Sequence, residues 1–231
     1  MAEFDKYAGE YKKLVHDPIR DWFGPGNSFF FERKWKLLAE HMTLAGLEPA
    51  ACAWLDVGCG RGDLLRLGRT HLAQAVGCDV STEMLADCTG LEVVPQTETN
   101  KLPFPDERFD LATAVCVYHH VAPAARPALT REIARVLRPG GMACIIEHNP
   151  FNPATQIIVR RLPVDADAHL LTWGTAGRLL KDAGLVQTHT KHFLFFPERL
   201  YHRASKIEAW LARVPAGGQY AVFGRKPAST T

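Results

Sequence analysis

Between residues 53 and 148 one pattern recurs: a short apolar run, a turn rich in glycine, aspartate or proline, then an amphipathic stretch. Nothing else in the chain constrains the fold as much. Apolar runs alternating with helical stretches make strands joined by crossovers, and crossovers build parallel sheets. The runs at 53–57, 74–79, 91–96, 109–117 and 142–148 read as five strands, each apolar or β-branched enough to be covered on both faces. Helical spacing occupies 63–72, 82–88 and 125–137, with Ser81 or Thr82 as an N-cap and Pro139-Gly140-Gly141 as the stop after the third. A further helix over 173–183 ends at Gly184, after which strands over 185–196 and 219–226 pair antiparallel through the segment between them. The expected fold is a doubly wound α/β domain, its seven-stranded sheet mostly parallel with one antiparallel strand near the edge. Residues 1–50, rich in aromatic and charged side chains, are expected to form a helical cap, 51–226 the core and 227–231 a frayed tail.

A chain of 231 residues can bury one good-sized core, so a single domain is expected. With 47% hydrophobic and 23% charged residues it is not disordered, and a formal net charge of +2 supplies no basic field to hold a polyanion. Nucleic acid is therefore not an expected partner. The opening MAEFDKYAGEYKKL carries charge where a signal peptide needs an apolar stretch, and no run approaches the roughly 20 apolar residues of a membrane span. A cytoplasmic location without membrane attachment is expected, as a monomer or homodimer. The cysteines at 52, 59, 78, 88, 116 and 144 form no CxxC pair and sit mostly in apolar segments, as buried free thiols do.

Trp54-Leu-Asp-Val-Gly58-Cys-Gly60-Arg-Gly62-Asp63 runs an apolar strand into a glycine-dense turn and then a helix. Glycines there remove the Cβ atoms that would block a ligand from the backbone and permit dihedrals that other residues avoid. Asp79 closes the next apolar run, beside the first turn in a doubly wound sheet, where a carboxylate can accept both hydroxyls of a ribose. Strand, turn, helix, second strand and terminal acid in register are far more specific than a glycine pattern alone.

LDVGCGRGD at 55–63, GCDVS at 77–81, KLPFPDERFD at 101–110, YHHV at 118–121 and RVLRPGGMACIIEHNP at 135–150 occur in that order. Together they make residues 53–150 resemble the class I S-adenosylmethionine-dependent methyltransferases, which have a Rossmann-like fold. The resemblance implies that Asp56 and the backbone at Gly58 and Gly60 hold the methionine end of S-adenosylmethionine, and Asp79 the ribose. It also implies Val80 and Met84 beside the adenine, Glu98 and Thr99 near the adenine amino group, and Val115 and Cys116 close to the sulfonium. Tyr7 and Tyr11 resemble N-terminal tyrosines that close over the cofactor, with Lys34 meeting its carboxylate.

Methyl transfer from a sulfonium needs the acceptor aimed in line and a base only where the acceptor loses a proton. His119 and His120 are the candidate bases, because they follow the fourth strand at the carboxyl edge of the sheet. Adjacent side chains are expected to diverge and no third ligand is evident, so no metal centre is expected. Tyr118, and Glu147, His148, Asn149 and Asn152 in a stiff proline-bearing loop after the fifth strand, are candidates for acceptor binding. Trp22, Phe23, Phe29, Phe30 and Phe31, with Phe193, Phe195, Phe196 and Tyr201 late in the chain, are the aromatics expected to line a lid and pocket for a small-molecule acceptor, with Trp22 and Phe29 taken as contacts to it.

A nicotinamide dehydrogenase fits less well. Its pattern wants Gly or Ala three residues after the second glycine, where Asp63 stands, and it leaves LPF and LRPGG unexplained. O-methylation of a secondary metabolite or sugar-like intermediate is the expected activity. N- or C-methylation of an indole-like aromatic and a non-catalytic cofactor-binding subunit are the alternatives.

Overall fold

The computed structural model describes residues 3–228. Seven strands form one sheet in the order β3-β2-β1-β4-β5-β7-β6. These are β1 (Ala53–Val57), β2 (Gln74–Asp79), β3 (Glu92–Pro95), β4 (Phe109–Val115), β5 (Leu137–His148), β6 (Val186–Phe193) and β7 (Gln219–Arg225). β1 through β5 pair in parallel, while β7 runs antiparallel to both β5 and β6. The order reverses at β1, between β2 and β4, and in such sheets that point opens a crevice at the carboxyl edge.

The nine α-helices among the described residues are α1 (Tyr11–Leu14), α2 (Pro18–Phe23), α3 (Ser28–Leu44), α4 (Asp63–Gly68), α5 (Thr82–Ala86), α6 (Arg126–Val136), α7 (Pro153–Arg161), α8 (Trp173–Asp182) and α9 (Glu198–Leu211). Ser81 caps α5, its hydroxyl accepting the Met84 N–H at 3.2 Å. Alternate residues of β1 serve two cores. Leu55 and Val57 join Phe109, Ile133 and Leu180 on one face, and Trp54 joins Leu38, Met42 and Phe223 on the other. α3 lies on that second face, where the His41 ring stacks on Phe223 with centroids 3.9 Å apart. No helix among the described residues is long and apolar enough to cross a membrane.

Several boundaries differ from the sequence reading for local reasons. β5 begins at Leu137 instead of 142, because Gly140 N–H donates to Lys226 O and Gly141 O accepts the Lys226 N–H, both at 2.9 Å, drawing the LRPGG segment into the sheet. The segment expected to continue as strand to 196 breaks after Phe193, where Leu194 takes a φ of +61°. The expected loop after β5 is short, covering 149–152, and runs directly into α7, since Pro153 opens a helix well and Asn152 Oδ1 accepts the Thr155 N–H at 2.9 Å. The segment between β6 and β7 forms α9. Of the tail expected to fray, residues 229–231 lie outside the described residues.

Candidate active site

β1 delivers the chain into a turn in which Gly58, Gly60 and Gly62 all have positive φ, at +67°, +53° and +75°. A Cβ on Gly58 would lie 2.5 Å from Val117 Cγ2, and one on Gly62 2.3 Å from Leu91 Cδ1, so these two permit close packing. A Cβ on Gly60 would meet nothing within 4 Å and would enter the cavity that Gly60 lines. Asp79 reaches across from β2. Its Oδ2 accepts the Gly60 N–H and its Oδ1 the Ser81 N–H, each at 2.8 Å, while burial raises its pKa.

Asp56 is buried beneath the turn, where Thr113 Oγ1 donates to its Oδ1 at 2.7 Å and Trp54 Nε1 donates to Thr113 Oγ1 at 2.9 Å. Burial pushes the Asp56 carboxyl up to about 7 against the pull of Thr113 and Lys34. Lys34, from α3, holds its Nζ 3.8 Å from Cys116 Sγ and 4.9 Å from the Phe31 ring centroid. Burial alone would raise the Cys116 thiol, but Lys34 and His148 outweigh it and bring it down to about 7. Cys116 has a φ of +57°, and Gln219 Nε2 lies 3.4 Å from its sulfur. Gln219 Oε1 is buried without a hydrogen-bond partner among the described residues, in the wall of the same cavity.

That cavity, about 720 Å³, reaches from the glycine turn to the segment after β4. Tyr11, Lys34, Asp56, Gly58, Gly60 and Asp79 line it, as do Val80, Met84, Thr99, Val115 and Cys116. His119, His120, His148 and Asn152 stand along its other end. The N-terminal segment crosses its mouth: Ser81 Oγ donates to Asp5 Oδ1 at 2.6 Å on one side, and Tyr7 OH donates to Pro163 O at 3.1 Å on the other.

Other expected site residues lie elsewhere. Tyr7 is occupied with Pro163 outside the lining, and Glu98 is exposed beside it, with Gln96 and Thr97 taking the lining positions. Tyr118 is fully buried in the core, its hydroxyl 2.8 Å from Thr130 Oγ1. Asn149 is a loop brace whose Nδ2 donates to Pro215 O at 3.1 Å and Gly217 O at 2.8 Å. Trp22 is 55% exposed under Arg199, and Phe29 is packed in the core below α3, so neither walls the cavity. Phe23, Phe30 and Phe31 do, one or two residues along the same helices.

Glu147 does not line the cavity either. Fully buried, it accepts the Tyr118 N–H at 2.6 Å and sits 2.6 Å from His119 Nδ1. His119 and His120 were expected to diverge; the 3-10 turn Tyr118–His120 instead sets their ring centroids 3.9 Å apart, and both present Nε2 to Asp165 Oδ1 at 3.4 Å. Burial opposes charge on His119, yet Glu147 and Asp165 prevail and raise it to about 10. Burial lowers His120 despite Asp165. Asp165, Gln219 and Gln96 were missed in the sequence. Asp165 sits in a short PVDAD stretch with no motif, and only its packing against the histidine turn marks it.

Residues 55–145 match the family model described as a methyltransferase domain. The chain is 35% identical over 164 residues to the 2-phytyl-1,4-naphtoquinone methyltransferase of Trichormus variabilis, an alignment covering 65% of this chain and 66% of the relative. It is 30% identical over 158 residues to the tRNA (carboxymethyluridine(34)-5-O)-methyltransferase of Arabidopsis thaliana, covering 67% of this chain but 37% of that protein. The chain thus spans less than two thirds of these relatives' length. A solved S-adenosylmethionine-dependent methyltransferase from Archaeoglobus fulgidus superposes with a TM-score of 0.62 at 20% identity, over 86% of this chain and 99% of that one. The chain therefore carries a class I S-adenosylmethionine-dependent methyltransferase domain.

That family implies S-adenosylmethionine as cofactor. The open side of Gly60, the acid at the end of β2 and the unpartnered Gln219 oxygen fit such a molecule.

Proposed function

We propose that this chain transfers the methyl group of S-adenosylmethionine to an oxygen of a small, largely apolar molecule. The observation that carries the reading is one continuous cavity with two chemically different ends. At one end Asp56, Gly60 and Asp79 offer carboxylates and bare backbone; at the other, Ile19, Phe30, Phe31, Ile158 and Leu162 offer apolar walls around His119, His120 and Asp165.

In this reading Asp79 holds the ribose, Met84 and Thr99 flank the adenine, and Asp56 faces the amino end of the methionine portion. The cofactor supplies a methyl group already activated by the sulfonium. The chain's task is to exclude water and aim the acceptor, which can lower the barrier by several kcal/mol. The acceptor oxygen lies toward the His119, His120 and Asp165 group, where a hydroxyl proton can leave.

A nucleobase presented by a tRNA is the second reading, favoured by the Arabidopsis relative. A net charge of +2 and a mouth crossed by the N-terminal segment argue for the small molecule. Incubating the purified chain with radiolabelled S-adenosylmethionine and either a metabolite extract or total tRNA tests both. Label in a small organic product supports the proposal. Label in tRNA alone, or in neither, overturns it.

A further inference from the structure

Three side chains from two separate segments converge on the acceptor end of the cavity: His119 and His120 from the turn after β4, and Asp165 from the turn Pro163–Asp165. One ligand atom from each lies within 4.8 Å of the other two. Both imidazole Nε2 atoms stand 3.4 Å from the same carboxylate oxygen, Asp165 Oδ1. That is long for a charge-assisted hydrogen bond, which closes to about 2.7–2.9 Å. It matches the ligand-to-ligand edge of a tetrahedron around an ion, about 3.3–3.4 Å when the bonds are about 2.0–2.1 Å.

A second observation points the same way. The far nitrogen of His119 is held by Glu147 Oε2 at 2.6 Å, and Glu147 is itself anchored by the Tyr118 N–H. A buried carboxylate behind an imidazole keeps the proton on Nδ1 and aims Nε2 at the site, where an ion takes the place of the Nε2 proton. The Glu147 carboxylate has no access to the cavity, so orienting His119 is the role its position allows.

We propose that His119 Nε2, His120 Nε2 and Asp165 Oδ1 bind a divalent transition ion of the zinc type, with a fourth position open to the cavity. Two imidazoles and one carboxylate suit zinc or cobalt(II) better than calcium or magnesium, which prefer all-oxygen ligands. The open position takes an anionic or ionisable oxygen, such as a hydroxyl or carboxylate of the acceptor. This last point rests on the methyl-transfer reading; the ion site does not.

The untagged full chain, stripped with EDTA, would be titrated with cobalt(II) followed by visible absorption and with zinc in a calorimeter. About one equivalent should bind, with the d–d band of a four-coordinate site and a higher melting temperature in the presence of zinc. His120→Ala and Asp165→Asn should each weaken uptake by on the order of 100-fold, and Glu147→Gln by about 10–100-fold. No uptake by the wild-type chain, or undiminished uptake by both ligand variants, overturns the site. Titration of the same stripped protein with S-adenosylhomocysteine reads the cofactor assignment separately, so a failed ion site and a failed methyltransferase reading are distinguishable.

Discussion

The carboxylate of Asp79 accepts the backbone N–H of Gly60 at 2.8 Å, so the acid that ends β2 braces the glycine turn that ends β1. One side chain thus shapes the cavity and stands in its wall. Asp79→Ala is expected to weaken S-adenosylhomocysteine binding by about 1–3 kcal/mol, the cost of leaving hydroxyls and a turn N–H without their acceptor. Unchanged affinity in calorimetry would remove Asp79 from the ribose site.

Gly60 and Gly62 should respond differently to the same added methyl group. Both have positive φ, which costs an alanine roughly 1–2 kcal/mol, but only Gly62 has a neighbour, Leu91, in the way. Gly62→Ala is expected to lower the melting temperature more. Gly60→Ala should melt closer to wild type while losing at least about tenfold in cofactor affinity, because its Cβ enters the cavity. Comparable melting and binding losses in the two variants would contradict this division.

The buried carboxyl of Asp56, raised to about 7, makes stability depend on pH. Between the unfolded value near 4 and about 7, the folded chain keeps a proton that the unfolded chain has released. This group's contribution therefore falls as pH rises through that window, by on the order of a few kcal/mol in all. Asp56→Asn, which can still accept from Thr113, removes the slope, so denaturant melts should show the variant gaining on wild type from pH 4 to pH 7. Cofactor affinity of the wild type should rise over pH 6 to 8 as the carboxylate forms opposite the methionine amino group, and the variant should lack that rise.

Tyr118 lies in the core with its hydroxyl on Thr130, in a chain position that looked like the acceptor site. Tyr118→Phe is expected to cost about 1 kcal/mol of stability and to leave the KM for the acceptor unchanged. A raised KM with unaltered melting would return Tyr118 to the pocket.

Strands β1, β2 and β4, the glycine turn and Asp79 were legible because each is encoded locally: apolar runs, turn glycines and an acid at a strand end keep their meaning wherever the chain goes. α7 and α9 were not. Prolines after β5 looked like a stiff loop, yet Pro153 at a helix start behind the Asn152 cap is equally good local chemistry, and sequence alone left the choice open. The aromatic wall was legible as a group, but which of its rings face the cavity was not. Phe29, Phe30 and Phe31 are consecutive, and only the rotation of α3 against the sheet sends Phe29 inward and its two neighbours to the cavity.

The amino-acid order by itself determined a doubly wound sheet and the place where a nucleoside-bearing cofactor can meet its backbone, since these follow from periodicity and from glycine stereochemistry over short spans. The tertiary structure alone decided that Asp165, 45 residues beyond His120, shares a carboxylate oxygen with both histidines, and that Glu147 stands behind His119 instead of lining the cavity. Contacts of that kind depend on how α7 and the turn after it fold back over the sheet edge, and no local pattern records the direction of that return.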